Sequence, residues 1–161
     1  MSKIFKFNGL RLVFVGVVGV CLVLMVGQSA MAHGNATGVV KQRMDLMSSI
    51  GKKMKSIAAM VKGKAPFNPE SIGLDAAGIG QVSPEIKTLF PAGSLHKPSE
   101  ALPVIWDDWE RFTSLTVRLE TEANNLQAAA LQGDKKAVTR QFVSLGKVCS
   151  SCHTDFRKKK E

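Results

Sequence analysis

Two cysteines and a histidine near the C-terminal end of the chain have the types and the spacing for one kind of chemistry. They lie in the segment KVCSSCHTDF, where Cys149 and Cys152 are separated by two serines and His153 follows directly. This pattern is typical of c-type haem attachment, in which each thiol adds to a vinyl group and the neighbouring imidazole binds the iron. Residues three and four apart share a helix face, so all three side chains can reach one macrocycle edge. The motif therefore predicts one covalently attached haem c, with His153 as an axial ligand.

The same side chains allow two weaker interpretations. A thioredoxin-like redox pair would stand at the start of a helix after a strand, whereas this pair lies near the end of a predicted helix in a chain without predicted strands. A zinc site would need a fourth ligand beyond Cys149, Cys152 and His153, and only His33, His96 or a carboxylate could supply it.

A hydrophobic leader precedes the rest of the chain. A basic head is followed by an apolar run at 12–26 and by an Ala-Met-Ala sequence that ends at Ala32, which is a signal-peptide pattern. We expect residues 1–32 to be cleaved, which leaves 33–161 as one mature domain. The run is shorter than the roughly 20 apolar residues of a spanning helix, which disfavours an uncleaved anchor. Cys21 lies inside the run, which disfavours a lipid anchor at that residue.

The charge of the chain is strongly positive. Lys and Arg exceed Asp and Glu by 22 − 13 = 9, and removal of the three leader cations leaves 19 − 13 = +6. A leader of this kind sends the protein to the periplasm, an oxidising compartment. Export makes nucleic acid an unlikely partner, whereas the charge favours an acidic one.

The elements that must position the motif are helices, because all six prolines lie between 66 and 103 and leave both flanks free to be helical. An amphipathic helix is predicted from Gly38 to Lys62, with Gly63 ending it. Its apolar stripe is Val40, Met44, Met47, Gly51, Met54, Ala58 and Val61.

A second amphipathic helix is predicted from Pro103 to Gln132, ended by Gly133. Its stripe includes Ile105, Trp109, Phe112, Thr116, Leu119, Ala123, Leu126 and Ala130.

A third helix is predicted to begin at Lys135 with Asp134 as its N-cap, and its stripe places both cysteines on the buried face. That stripe is Val138, Phe142, Leu145, Cys149, Cys152 and Phe156. A weaker helix is predicted to begin at Asn68-Pro69-Glu70, since its glycines lower helix propensity, and to restart after Pro84 as far as Phe90. Residues 89–102 form the one long connection. The pattern predicts an all-α, antiparallel four-helix bundle.

The leader, the four helices and a Cys-x-x-Cys-His motif close to the C-terminus resemble class II cytochromes c, the cytochrome c′ type, and among them the low-spin cytochrome c-556-like members. The resemblance covers essentially the whole mature chain and implies a left-handed four-helix bundle with haem packed inside. Shorter matches occur in the family's order: Arg43 to Met47, Leu89-Phe90-Pro91, Ile105-Trp106 and Phe156-Arg157. Only the haem motif is highly specific.

The resemblance also implies a sixth iron ligand. Low-spin members use a methionine of the first helix, and Met47 stands at that position; high-spin members leave the position open. Met44 and Met54 share its stripe and are the fallback ligands, while a methionine on such a stripe can equally be core packing. Met44 is a further candidate haem contact, and so is Arg43, which could neutralise a haem propionate or be a solvated arginine.

Ligation by His153 and Met47 implies an electron carrier with a single haem rather than an enzyme, because cytochromes c use this ligand pair for electron transfer. An open iron would imply a five-coordinate protein that binds NO or CO. A peroxidase would need acid and base groups beside an open iron, and His96 falls in a predicted loop. The expected partners are redox proteins, acidic in view of the charge, and the resemblance allows a homodimer. No membrane contact is expected after cleavage of the leader.

Overall fold

The computed structural model describes residues 36–159. They contain four long helices and two single-turn helices. The predicted signal peptide and His33 lie outside these residues. The helices are α1 (Gly38–Val61), α2 (Pro69–Val82), α3 (Glu85–Thr88), α4 (Val104–Asp107), α5 (Trp109–Leu131) and α6 (Lys135–Phe156). Between residues 36 and 159 there is no strand, and a single antiparallel bridge joins Ala101 to Arg157.

The long helices pack as a closed ring in which α1 contacts α2, α2 contacts α5, α5 contacts α6, and α6 contacts α1. Short turns join α1 to α2 and α5 to α6, which makes the members of each pair antiparallel. The predicted all-α four-helix bundle is confirmed. The C-terminal end of α6, which carries the cysteine motif, therefore lies at the end of the bundle where α1 begins.

Local chemistry fixes the helix ends where the sequence predicts them. The Asn68 side chain accepts a hydrogen bond of 2.9 Å from the Ser71 amide at the start of α2. The Asp134 carboxylate accepts bonds of 2.8 and 3.1 Å from the first amides of α6. Gly63 and Gly133 follow α1 and α5 with φ of 70° and 69°, a conformation that glycine adopts without strain. These predicted caps and stops are confirmed.

Helix α2 is regular despite three glycines, and one of them, Gly80, accommodates a side chain of α5. A Cβ added at Gly80 would lie 2.7 Å from Asn124 Oδ1, so the Asn124 side chain occupies the space that a larger residue at position 80 would need. The predicted restart after Pro84 is a single turn, α3. Tertiary packing thus outweighs the low helix propensity.

The second predicted helix is interrupted near its start. Asp108 has φ −123° and ψ 53°, outside the helical region, and separates α4 from α5. Ile105 is buried on α4 as predicted, but Trp109 remains 39% exposed, so its place on the buried stripe was wrong. Trp106 is half-buried and donates a hydrogen bond of 3.0 Å from Nε1 to the carbonyl of Phe90.

The buried face of α1 is rotated from the predicted stripe. Of that stripe only Val40 is fully buried, while Met44, Met47 and Met54 are half-buried at its edge. The most deeply buried residues of the helix are Val40, Arg43, Ile50, Ile57 and Met60. The stripe prediction was wrong in this detail, because an arginine was not counted as a buried residue.

Candidate functional site

Both cysteines of the motif lie where α6 meets the core. Cys149 and Cys152 are free thiols, half-buried, and both pack against the hydrophobic core of the bundle. Val138, Leu145 and Phe156 of the same predicted stripe are buried. The prediction that the cysteines share the buried face of this helix is confirmed, and their sulfurs are held three residues apart on one face.

Burial also controls the chemistry of the thiols. It raises the pKa of Cys149, and it raises the pKa of Cys152 to about 11, with the charges of Cys149 and Asp155 adding to the effect. A redox-active Cys-x-x-Cys pair needs the opposite shift, since the thiolate is the nucleophile. The electrostatics of this pair therefore do not fit a thioredoxin-like site.

The His153 imidazole follows the second thiol directly, and its environment lowers its pKa. The side chain is more exposed than either cysteine, yet the groups packed around the ring lower its pKa by desolvation, and the positive charge of Arg157 lowers it further. A neutral imidazole keeps the nitrogen lone pair that a metal needs. The donor set of two thiols and one adjacent imidazole on a helix therefore fits covalent haem attachment.

The three candidate methionines of α1, Met44, Met47 and Met54, do not have equivalent environments. Met47 and Met54 are half-buried and pack against the same core as the cysteines, whereas Met44 is half-buried without belonging to that set. Since α1 and α6 contact each other, Met47 and the cysteine motif lie on neighbouring helices. The flexible Met47 side chain is only half-buried, so it has the freedom to contact a group bound between these helices.

Arg43, one turn before Met47, is a structural cation inside the bundle. It is 6% exposed, so the solvated alternative is wrong. Its Nη1 donates to the carbonyl of Leu89 at 3.1 Å and to Ser94 Oγ at 3.0 Å, and its Nη2 donates to the carbonyl of Ser94. The guanidinium carbon lies 4.4 Å from the centre of the Phe90 ring. Burial lowers the pKa of this arginine. Arg43 thus ties α1 to the connection at 89–102.

An aromatic cluster joins this connection to the end of α6. The ring centres of Phe90 and Phe112 are 4.9 Å apart, and those of Phe112 and Phe156 are 5.4 Å apart, both edge to face. Phe156 follows His153 by three residues and is buried. Phe156 was expected on the buried stripe of its helix, but its edge-to-face partners could not be predicted without the fold.

The chain directly after the motif is held by the same connection. The amide of Leu102 donates to the carbonyl of Phe156 at 2.9 Å, and the amide of Lys158 donates to the carbonyl of Glu100 at 2.8 Å. The Arg157 guanidinium also pairs with the Glu100 carboxylate. Residues 89–102, which were predicted only as a long loop, therefore hold both α1 and the end of α6.

Of the other candidate histidines, the structure describes His96. His96 is exposed in the connection, as predicted. Within residues 36–159 no three His, Cys, Asp or Glu side chains are grouped so that they could hold a metal ion. The fourth ligand of a zinc site is thus not assembled in this part of the chain. None of its helices is both long and apolar enough to cross a membrane.

Comparisons with known proteins agree on one family. The family model described as Cytochrome C′ matches residues 38–157. Cytochrome c-556 of Agrobacterium tumefaciens (strain B2A) is 35% identical over 123 residues, which span 76% of this chain and 99% of the relative. The solved structure of cytochrome c′ from Rhodopseudomonas palustris has a TM-score of 0.73 at 34% identity, covering 78% of this chain and 100% of that one. A nitric oxide complex of a mutant cytochrome c′ from Alcaligenes xylosoxidans has a TM-score of 0.68 at 26% identity, over 75% and 94% of the two chains.

Proposed function

Since this chain belongs to the cytochrome c′ family and carries covalently attached haem c, we propose that it is a periplasmic electron carrier with a single haem. The observation that carries the proposal is the pair of half-buried thiols on α6, followed directly by a histidine and packed on the core that Met47 also contacts. The haem iron supplies a reversible one-electron couple when the group is bound.

The residues of α6 have distinct roles in this proposal. Cys149 and Cys152 would hold the macrocycle through two thioether bonds to α6. His153 would supply a nitrogen lone pair to the iron, in the neutral form that its lowered pKa favours. The core against which both thiols pack would shield that side of the group from part of the solvent.

Met47 is proposed as the second axial ligand. Three observations support it: the side chain is half-buried, it packs on the core that the cysteines share, and it lies on the helix next to the motif. Met/His ligation raises the reduction potential and leaves no free position for a substrate or a gas. Arg43 and Met44 stay predicted haem contacts, with Arg43 already engaged in holding the connection.

A gas-binding function is the second candidate. The nitric oxide complex of the Alcaligenes cytochrome c′ favours it, because that protein has the same fold and binds a gas. It would apply to this chain if Met47 packs beside the iron without binding it. We propose no enzymatic activity, since the family consists of haem-binding carriers and gas binders.

The predicted signal peptide at 1–32 agrees with a periplasmic location, which is typical of this family. Redox proteins are the proposed partners. The mature charge of 19 − 13 = +6 would steer acidic ones, an attraction that salt should weaken. A homodimer is also compatible with the family, and the exposed Leu74 and Leu131 are apolar surface available for contact.

The deciding experiment is a visible absorption spectrum of both oxidation states, recorded with and without carbon monoxide. If the sulfur of Met47 binds the iron, the wild-type haem is low-spin and takes up carbon monoxide slowly or not at all. Met47→Ala then becomes high-spin and binds the gas readily. Met44→Ala and Met54→Ala are the matched controls, because they remove the same side chain from the same helix.

A wild-type haem that is already high-spin, binds carbon monoxide fast and is unchanged by Met47→Ala would support the gas-binding function. If Met44→Ala or Met54→Ala opens the iron and Met47→Ala does not, the ligand assignment is wrong but the carrier function stands.

A further inference from the structure

Two glycines stand in the interior of the helices that carry the proposed haem ligands. Gly51 lies within α1 and Gly146 within α6, both half-buried and neither with a positive φ. Glycine weakens a helix interior relative to alanine, because it loses more backbone entropy on folding. Neither position needs the backbone freedom of glycine, since neither has a positive φ.

The described polypeptide gives no steric reason for these two glycines. Apart from the helix's own backbone and chain neighbours, no atom described by the structure lies within 4 Å of a Cβ built at Gly51 or Gly146. Two glycines of α2 differ in this respect, because a neighbouring side chain lies close to each. A Cβ at Gly80 would meet Asn124 Oδ1 at 2.7 Å, and one at Gly78 would meet the Lys53 side chain at 2.9 Å.

Both glycines share a helix face with the proposed ligands. Gly51 follows Met47 by four residues, one helical turn. Gly146 precedes Cys149 by three residues and His153 by seven, which is one and two turns. The backbone at each glycine, which no side chain covers, therefore lies one turn from a proposed haem-binding side chain. The two helices contact each other.

We infer that Gly51 and Gly146 are haem-contact positions, at which the macrocycle packs directly against the helix backbone. Glycine allows a close approach of backbone to a ligand, and a methyl group at either position would occupy that contact. The inference rests on the proposed attachment at Cys149 and Cys152. It adds two binding residues that carry no functional group and that neither the motif nor the ligand set identifies.

Three alanine substitutions in the haem-loaded protein test it, with Gly73→Ala as the matched control. Gly73 lies inside α2, and a Cβ there would meet Ala130 Cβ at 3.7 Å, an ordinary contact. All three changes gain the same helix propensity. Gly73→Ala should lower the unfolding equilibrium constant in urea about fivefold, equivalent to about 1 kcal/mol. Gly51→Ala and Gly146→Ala should raise it about tenfold, because a methyl group is forced into a packed contact.

Two further readouts separate the possible results. The visible spectrum of Gly51→Ala and Gly146→Ala should shift, while that of Gly73→Ala should not. If a variant resists loading, haem per chain, measured after alkaline pyridine treatment, should fall while circular dichroism still reports a helical chain. That result also supports the contact.

A stability gain equal to that of Gly73→Ala, with full haem content and an unchanged spectrum, would overturn the inference for the position concerned. This outcome leaves haem attachment and the carrier function intact. Wild-type protein that takes up no haem would instead overturn the proposed function, and the contact with it. The failures of the two proposals are therefore distinguishable.

Discussion

Replacing Arg43 with methionine should destabilise the end of the bundle that carries the haem motif. The substitution keeps an unbranched side chain of similar length and removes every donor. Three acceptors then lose their partner: the carbonyl oxygens of Leu89 and Ser94 and the hydroxyl of Ser94. Ser94 is buried, at 8% exposure, so water does not replace the arginine without movement of the connection.

The magnitude follows from these contacts. A buried acceptor without a partner costs about 1–3 kcal/mol, and the lost contact with the Phe90 ring costs about 0.5–2 kcal/mol. Two effects oppose this loss: the connection can relax until water reaches its carbonyl groups, and a buried cation no longer has to be desolvated. We expect Arg43→Met to reduce the free energy of unfolding by about 2–3 kcal/mol.

The assay is urea unfolding of the haem-loaded protein, followed by circular dichroism, together with amide hydrogen exchange in the connection at 89–102. Lys41→Met is the control, since it removes a cation from the same helix. Lys41 pairs with Asp45, but both side chains are about half exposed, at 53% and 48%. Such a pair contributes only about 0.3–0.5 kcal/mol.

An equal loss of stability in Arg43→Met and Lys41→Met would refute the reasoning. So would an unchanged exchange rate of the amides at 89–102, because the connection could not then depend on the arginine. Arg43→Lys gives an intermediate test: one ammonium group cannot reach all three acceptors in the geometry of the planar guanidinium.

The remaining predictions concern haem attachment and helix capping. The wild-type protein, expressed with its leader and a haem-attachment system, should keep its colour in acid acetone, and the Cys149→Ala, Cys152→Ala double variant should lose it; colourless wild type would contradict covalent attachment. His153→Ala should abolish the native absorption spectrum even if the thioether bonds form, and an unchanged spectrum would mean that another residue is the proximal ligand. Asp134→Ala should reduce the free energy of unfolding by about 1 kcal/mol without changing the spectrum, which urea unfolding and absorption can check together.

Features set by short-range chemistry were predictable from the sequence. The caps at Asn68 and Asp134 depend on residues two or three positions away, and the stripe of α6 follows from its period alone. The cysteine motif is of the same kind, since its donors lie within five consecutive residues. The residues that interact in these features are close neighbours in the sequence, so the sequence alone is sufficient to predict them.

Features set by long-range contacts were not predictable in the same way. The burial of Arg43 depends on acceptors 46 and 51 residues further along the chain, so the sequence left open whether it would contact a haem propionate or be solvated. Helix α2 was predicted to be weaker because of its glycines, and Asn124, the residue that packs closely on Gly80, lies far along the chain on α5. The interruption at Asp108 has no marker in the sequence comparable to proline or glycine.

The connection at 89–102 has a consequence for the order in which the molecule folds. Helices and the short turns between α1 and α2 and between α5 and α6 close loops of a few residues, which is fast and costs little chain entropy. The contacts that hold the connection join residues 46, 51 and 57 positions apart. Contacts of such high sequence separation form late, because loop closure precedes any gain from them.

The end of the bundle with the cysteine motif should therefore consolidate last, after the opposite end has formed. Until then the thiols of Cys149 and Cys152 stay reachable on a helix that already exists in part. Once Arg43 and Arg157 have engaged the connection, the same thiols are half-buried against the core. Slow folding of this end would therefore leave time for haem to be attached to the two thiols. Completion of folding would end that time.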